Sequence, residues 1–165
     1  MTRWGVGPRL AMVGLPLMAA SLLPRLFWPE VFAIPGVPYW AGAAAAGVLI
    51  LLGVWLHESA GKAVLRAFEK RELCTGGAYA VCRHPVYASV LLFYLPALSL
   101  LLDTWLGLAV VVPGYVLVRL SVRREERYCR ETFGERYVAY RRRTPALLPV
   151  GWLVPRGRDE RAPTG

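Results

Sequence analysis

At 165 residues the chain has the length of one domain, yet 56% hydrophobic residues and a mean hydropathy of +0.40 stand beside a net charge of +9. Apolar spans joined by basic segments satisfy both facts, and four apolar stretches argue against a nucleic-acid binder as the meaning of the arginine excess. Cys74, Cys82 and Cys129 lack CxxC or zinc-like spacing, and an odd count suits free thiols in a reducing compartment better than a disulfide framework.

The first apolar stretch, 10 to about 28, is interrupted by Pro16, Pro24 and Arg25. Ala19-Ala20-Ser21 resembles a signal-peptidase site, but a retained anchor is the preferred reading. Residues 29–38, flanked by Trp28, Tyr39 and Trp40, read as an interfacial turn with aromatic anchors. The second stretch, 39–56, carries the small-residue run AGAAAAG, which permits close helix packing. The third is 86–102. The fourth runs from 105 to about 118 and contains Pro113. Only Asp103-Thr104 separates these two, which predicts a tight helical hairpin.

Lys62, Arg66, Lys70, Arg71 and Arg83 lie between the second and third spans, and the arginines of 119–143 follow the fourth. Charge asymmetry therefore places both basic segments, and both termini, in the cytoplasm. The expected fold is an all-α integral membrane protein with about four transmembrane helices, including the hairpin, followed by a cytosolic basic helical segment. The expected organisation is 1–57 for the first two helices, 58–85 for a cytosolic connector, 86–120 for the hairpin, 121–149 for the basic segment, and 150–165 for a disordered tail.

After the fourth span, the pattern predicts helix to Gly134, a restart near Glu135, and a stop at Thr144-Pro145. An interfacial helix touching anionic lipid headgroups explains its arginines. Arg119 sits inside the apolar VLVRLSV, where an ionisable group is either functional or a snorkelling end residue. Glu125-Glu126 places two carboxylates inside an arginine cluster, able to accept from hydroxyl or ammonium groups. In VCRHPVY, Pro85 can begin a helix, which puts Arg83 and His84 at its positive mouth. Gly76-Gly77 offers a tight turn, and Tyr79 and Tyr87 offer ring faces. A ligand carrying both a carboxylate and a cation would find partners here. No spacing among His57, Cys74, Cys82 and His84 fixes a metal geometry, so no metal site is expected.

Taken in order, GGAYAVCRHPVYAS, a helical hairpin, EE, FGERYVAY and TPALLP resemble the isoprenylcysteine carboxyl methyltransferase family and the related phospholipid methyltransferases, over roughly residues 72–149. The resemblance implies a membrane enzyme that transfers a methyl group from S-adenosyl-L-methionine, entering from the cytosol, to a lipophilic small-molecule or lipidated acceptor entering from the bilayer. It implies a cofactor set of Gly77, Tyr79, Arg83, His84, Tyr87, Glu125, Glu126, Tyr137 and Tyr140. In this set Arg83 and His84 meet the cofactor carboxylate, Tyr87 the sulfonium, and the Glu pair the ribose hydroxyls or ammonium. Arg119, six residues before Glu125, occupies the place of an arginine near the acceptor carboxylate, with His57 and Glu58 completing the catalytic set. Two departures are Ser89, where glycine is frequent, and His57, where arginine is more usual.

Three other readings compete. One is methylation of a phosphatidylethanolamine amine. Another is an NADPH-dependent sterol-type reductase, a family that resembles this chain in an R-x-P-x-Y element but not in the EE pair. The last is a non-enzymatic protein that binds membrane lipid through its basic helix. The short N-terminal part also leaves room for a second copy of the chain to complete the acceptor pocket.

Overall fold

The structure, a computed structural model, describes residues 16, 19–21, 23–70 and 72–148. Nine of the nineteen residues of the first apolar stretch, 10–28, and all of the expected tail at 150–165 lie outside the described residues. Among the described residues every regular element is helical. After helical residues at 23–27 come α1 (Pro29–Phe32), α2 (Tyr39–Lys70), α3 (Ala78–Val81), α4 (Pro85–Leu101), α5 (Trp105–Phe133) and α6 (Glu135–Arg143).

Two of these helices are long and apolar enough to cross a membrane: Tyr39–Ala67 within α2, and Trp105–Phe133; α4 is a shorter apolar helix. The polarity change at His57, expected to begin a connector, is not a helix boundary. The stretch that follows (ESAGKAVLRAFEK) contains good helix formers and no proline, so α2 continues to Lys70. Its 32 residues measure about 48 Å, against about 30 Å of hydrocarbon, so its charged last third has no need to be in lipid. The expected turn at 29–38 likewise contains the short helix α1, with Pro29 in its first turn.

α4 is the centre of the bundle. One of its faces packs Ala88, Leu92 and Phe93 against Leu56 and Ala60 of α2, Ala78 of α3 and Cys82 just after it. The other packs Tyr87, Leu91 and Leu95 against Val110, Val118 and Val122 of α5, and Leu147 joins that cluster. Between the faces the helix loosens into a π turn at Val90–Tyr94. Tyr94 crosses α2 at Gly53, where an added Cβ would lie 2.6 Å from its ring, so only glycine admits this approach. Outer surfaces remain apolar, with Leu51 72% and Val112 66% exposed.

At one end of the bundle the α4–α5 hairpin turns at residues 102–104. Asp103 adopts φ 48°, and the Ser99 hydroxyl donates to the Thr104 carbonyl at 2.9 Å. Arg25 Nε donates to the Asp103 carbonyl (2.8 Å) and Nη2 to its Oδ2 (2.7 Å), while the Ile34 amide donates to Oδ1 (3.2 Å). The Trp105 indole reaches the Val31 carbonyl and stacks with Phe32. The other end carries the charged and aromatic groups of RHPVY and of the Glu125-Glu126 pair.

Candidate active site

The turn before α4 and the polar end of α5 meet at that second end. Pro85 opens α4, fixing its own φ and leaving no orphan amide there, so Arg83 and His84 point from the helix mouth. On α5 the apolar face ends at Val122, and Glu125 and Glu126 follow within one turn. Arg83 donates to Glu126 Oε1 from both Nε (3.0 Å) and Nη2 (2.7 Å). The pair is nearly buried, with side chains 9% and 12% exposed.

Nη1 of Arg83 donates to the Arg141 carbonyl (3.0 Å) and to the Thr144 carbonyl. Four of the five guanidinium N–H groups are therefore used inside the protein. The Arg83 and His84 amides donate to the carbonyls of Pro145 (2.8 Å) and Ala146 (3.0 Å). The segment after α6 thus folds back over the mouth of α4, and Leu147 is buried beneath it.

His84 lies between the two acids. Its Nε2 is 3.4 Å from Glu126 Oε1 and its Nδ1 is 3.8 Å from Glu125 Oε2. Its ring stacks on Tyr87 at 5.9 Å, and the Tyr87 hydroxyl donates to Glu125 Oε1 at 2.7 Å. Arg141 Nε approaches Glu126 Oε2 at 3.6 Å. Neither Oε2 accepts a hydrogen bond among the described residues, so both carboxylates keep acceptor capacity.

Three tyrosines frame this cluster. The Tyr140 hydroxyl donates to the Tyr79 carbonyl at 2.6 Å, which ties α6 to α3. Tyr137 is buried and meets Tyr140 edge to face. Burial, with nearby Glu126 adding to it, pushes the Tyr137 phenol up to about 12. Burial likewise raises Tyr79 and Tyr140, which stay neutral donors at neutral pH. All three cysteines are unpaired, and burial lifts Cys82 to about 11, so its thiol is unreactive at neutral pH.

The structure therefore brings together Arg83, His84, Tyr87, Glu125 and Glu126, with Tyr79, Tyr137 and Tyr140 adjoining. It sets the remaining candidates apart. Gly77 (φ 60°) precedes α3 and lines a separate cavity with Glu58. His57 Nδ1 lies 3.2 Å from Ser89 Oγ, whose proton goes to the Val86 carbonyl at 2.7 Å, so the bond assigns the His57 proton to Nδ1. That contact is on the α2 side of α4, away from Tyr87 and the Glu pair. Arg119 is exposed on α5, seven residues before Glu126, which is two turns or about 10 Å along the helix. Thr144, Pro145 and Ala146 were missing from the sequence-based set. Thr144-Pro145 marks a helix stop, but nothing local in it says that the following chain doubles back.

A family model for phospholipid methyltransferases matches residues 37–136, well over half of the chain and all of the α2–α5 frame. The chain belongs to the phospholipid methyltransferase family. Within reach of that family, it is 29% identical over 132 residues to protein-S-isoprenylcysteine O-methyltransferase B of Arabidopsis thaliana, covering 73% of this chain and 66% of the relative. It is 27% identical over 136 residues to the rat protein-S-isoprenylcysteine O-methyltransferase, covering 77% of this chain and 46% of the relative. A shorter match, 37% over 78 residues, covers 47% of this chain and 35% of the cobalt-zinc-cadmium resistance protein CzcN of Cupriavidus metallidurans. The chain thus spans just under two thirds of the plant protein and less than half of the rat one. No solved structure matches significantly. No metal-holding group of His, Cys, Asp and Glu occurs among the described residues.

Proposed function

We propose that this protein is an integral membrane methyltransferase that takes its methyl group from S-adenosyl-L-methionine and methylates a lipophilic carboxylate of isoprenylcysteine type. One observation carries the reading: RHPxY and EE, joined by bonds across 43 and 38 residues, form one network whose carboxylates keep unused acceptor oxygens beside stacked rings. Acceptors and π faces together suit a cation that also bears N–H and O–H groups, so the residues fit this cofactor. When bound, it supplies an electrophilic methyl group.

Glu125 and Glu126 accept from the cofactor's ammonium or hydroxyl groups, and His84 and Tyr87 present their rings. Arg83 holds Glu126 and the 144–146 segment in place, since its donors are already engaged. Tyr79, Tyr137 and Tyr140 wall the site, and Gly77 begins the turn that leads to it. Arg119 holds the acceptor: it has no ion-pair partner among the described residues, and its charge attracts a carboxylate and repels a protonated amine. Attack by a carboxylate oxygen needs orientation and no base. His57 holds α2 to α4 through Ser89, and Glu58 lines the cavity beside residues 72–77 rather than the acceptor site. Residues 39–56, 85–101 and 105–120 cross the bilayer, and the basic end is cytoplasmic.

The test is transfer of labelled methyl from S-adenosyl-L-methionine by the detergent-purified protein to a prenylated thioether carboxylate and, separately, to phosphatidylethanolamine. Label that alkali releases as methanol from the first marks an ester and supports the proposal. Alkali-stable label in the second makes the acceptor an amine, and no transfer to either contradicts the methyltransferase reading.

A further inference from the structure

The cluster holds acceptors for the cofactor's ammonium and hydroxyl groups, but Arg83, which the resemblance matches to its carboxylate, is already engaged. Four of its five N–H groups bond to Glu126 and to the Arg141 and Thr144 carbonyls. His84 is committed too, with its two ring nitrogens turned towards Glu126 and Glu125. A carboxylate entering a site that already contains two others needs a cation whose donors are unused.

Arg141 is such a cation. Its Nε lies 3.6 Å from Glu126 Oε2, beyond an ordinary hydrogen bond, and its side chain is 44% exposed. None of its guanidinium N–H groups makes a hydrogen bond among the described residues. Its backbone is nonetheless fixed to the cluster, because its carbonyl accepts from Arg83 Nη1 at 3.0 Å. On α6, Tyr137, Tyr140 and Arg141 recur at the three- and four-residue spacing of one helix face. On that face Tyr137 is buried and Tyr140 reaches Tyr79. Arg142, about 140° from Tyr137 round the helix, faces away and is exposed. A basic last turn suits the helix macrodipole, but that holds for Arg141, Arg142 and Arg143 alike and gives no reason for one of them to stand at Glu126.

The geometry points to Arg141 as the group that takes the carboxylate of S-adenosyl-L-methionine, with Glu126 Oε2 beside it taking the ammonium. An α-amino acid bears both charges on one carbon, so it needs an anion and a cation side by side, and Glu126 Oε2 and Arg141 Nε supply them. The planar guanidinium fork also matches a carboxylate in shape. Because Arg141 is partly exposed, water already serves it, and the gain is that of one charge-assisted pair rather than of a buried charge. The assignment rests on the cofactor reading above and adds a condition to it: the donor is selected by its amino-acid end as well as by its nucleoside and sulfonium.

The test is calorimetric titration of the detergent-purified full chain with S-adenosylhomocysteine and with S-adenosyl-3-thiopropylamine, the same thioether with hydrogen in place of the carboxylate. Wild type should bind the first about tenfold more tightly than the second. R141A and R141Q should lose that advantage, weakening S-adenosylhomocysteine about tenfold while leaving S-adenosyl-3-thiopropylamine unchanged. R142A should leave both unchanged. Thermal midpoints of these variants should stay near that of wild type, since the Arg83 bond is to the Arg141 main chain. Equal weakening of both compounds in the Arg141 variants, no weakening of either, or the same loss in R142A would overturn the assignment alone. Failure of wild type to bind either compound would overturn the cofactor reading, and the assignment with it.

Discussion

Each end of the bundle is tied by an arginine bonded to a carboxylate, and the two pairs differ in what they leave over. At the hairpin end, Arg25 grips Asp103, and both Asp103 oxygens and its carbonyl are engaged. At the other end, Arg83 grips Glu126 with equal closeness, but Glu125, His84 and one oxygen of each acid remain under-used beside aromatic rings. A buried polar group that is fully satisfied specifies structure, whereas surplus polar capacity near a surface is available to a ligand. The contrast separates the two ends more clearly than charge does.

Breaking the pairs one at a time sharpens it. Arg83→Ala should have the largest effect, since it leaves the nearly buried Glu126 without its main partner and releases the 144–146 segment. A loss of roughly 3 kcal/mol in denaturant unfolding, together with loss of S-adenosylhomocysteine binding, is expected. Arg25→Ala should cost about 2 kcal/mol by the same measurement, through loss of its charge-assisted bonds, yet leave that binding unchanged. Glu125→Gln keeps the shape and removes a charge from the surplus; it should weaken S-adenosylhomocysteine about tenfold in calorimetry with little change in thermal midpoint. Tyr140→Phe removes a single bond to the Tyr79 carbonyl and should cost about 1 kcal/mol.

The smallest effect is alkaline. Tyr137 holds its proton up to about pH 12 in the fold, whereas an unfolded tyrosine releases its proton near pH 10. Between these values the unfolded state binds fewer protons, so stability falls as pH rises. The thermal midpoint should be flat from pH 7 to about 9.5 and decline above about 10, and Tyr137→Phe should flatten that decline.

Much of this was legible in local pattern. Gly134 between two amphipathic stretches, Thr144-Pro145 as a stop, and Asp103-Thr104 between apolar runs each act within a few residues, and the helices begin and end where those signals stand. The apolar pattern marks where the second span ends but not where its helix ends: α2 runs on to Lys70, because residues past His57 change their solvent, not their backbone preference. In the site, RHPxY and EE were recognisable as separate motifs, and Arg83 was read as facing a ligand. Its engagement with Glu126 and with the chain after α6 depends on contacts across 43 and 61 residues, which no periodicity encodes. The same holds for His57, whose partner Ser89 is fixed by how α2 crosses α4.

The central claim is that the Arg83–Glu126 end binds a nucleoside sulfonium donor. Its most direct test is calorimetric titration of the detergent-purified protein with S-adenosylhomocysteine, with NADPH in parallel and Arg25→Ala as the control for the structural end. The account predicts that wild type and Arg25→Ala bind S-adenosylhomocysteine alike and that neither binds NADPH. Binding of NADPH alone, or of neither compound, would contradict it.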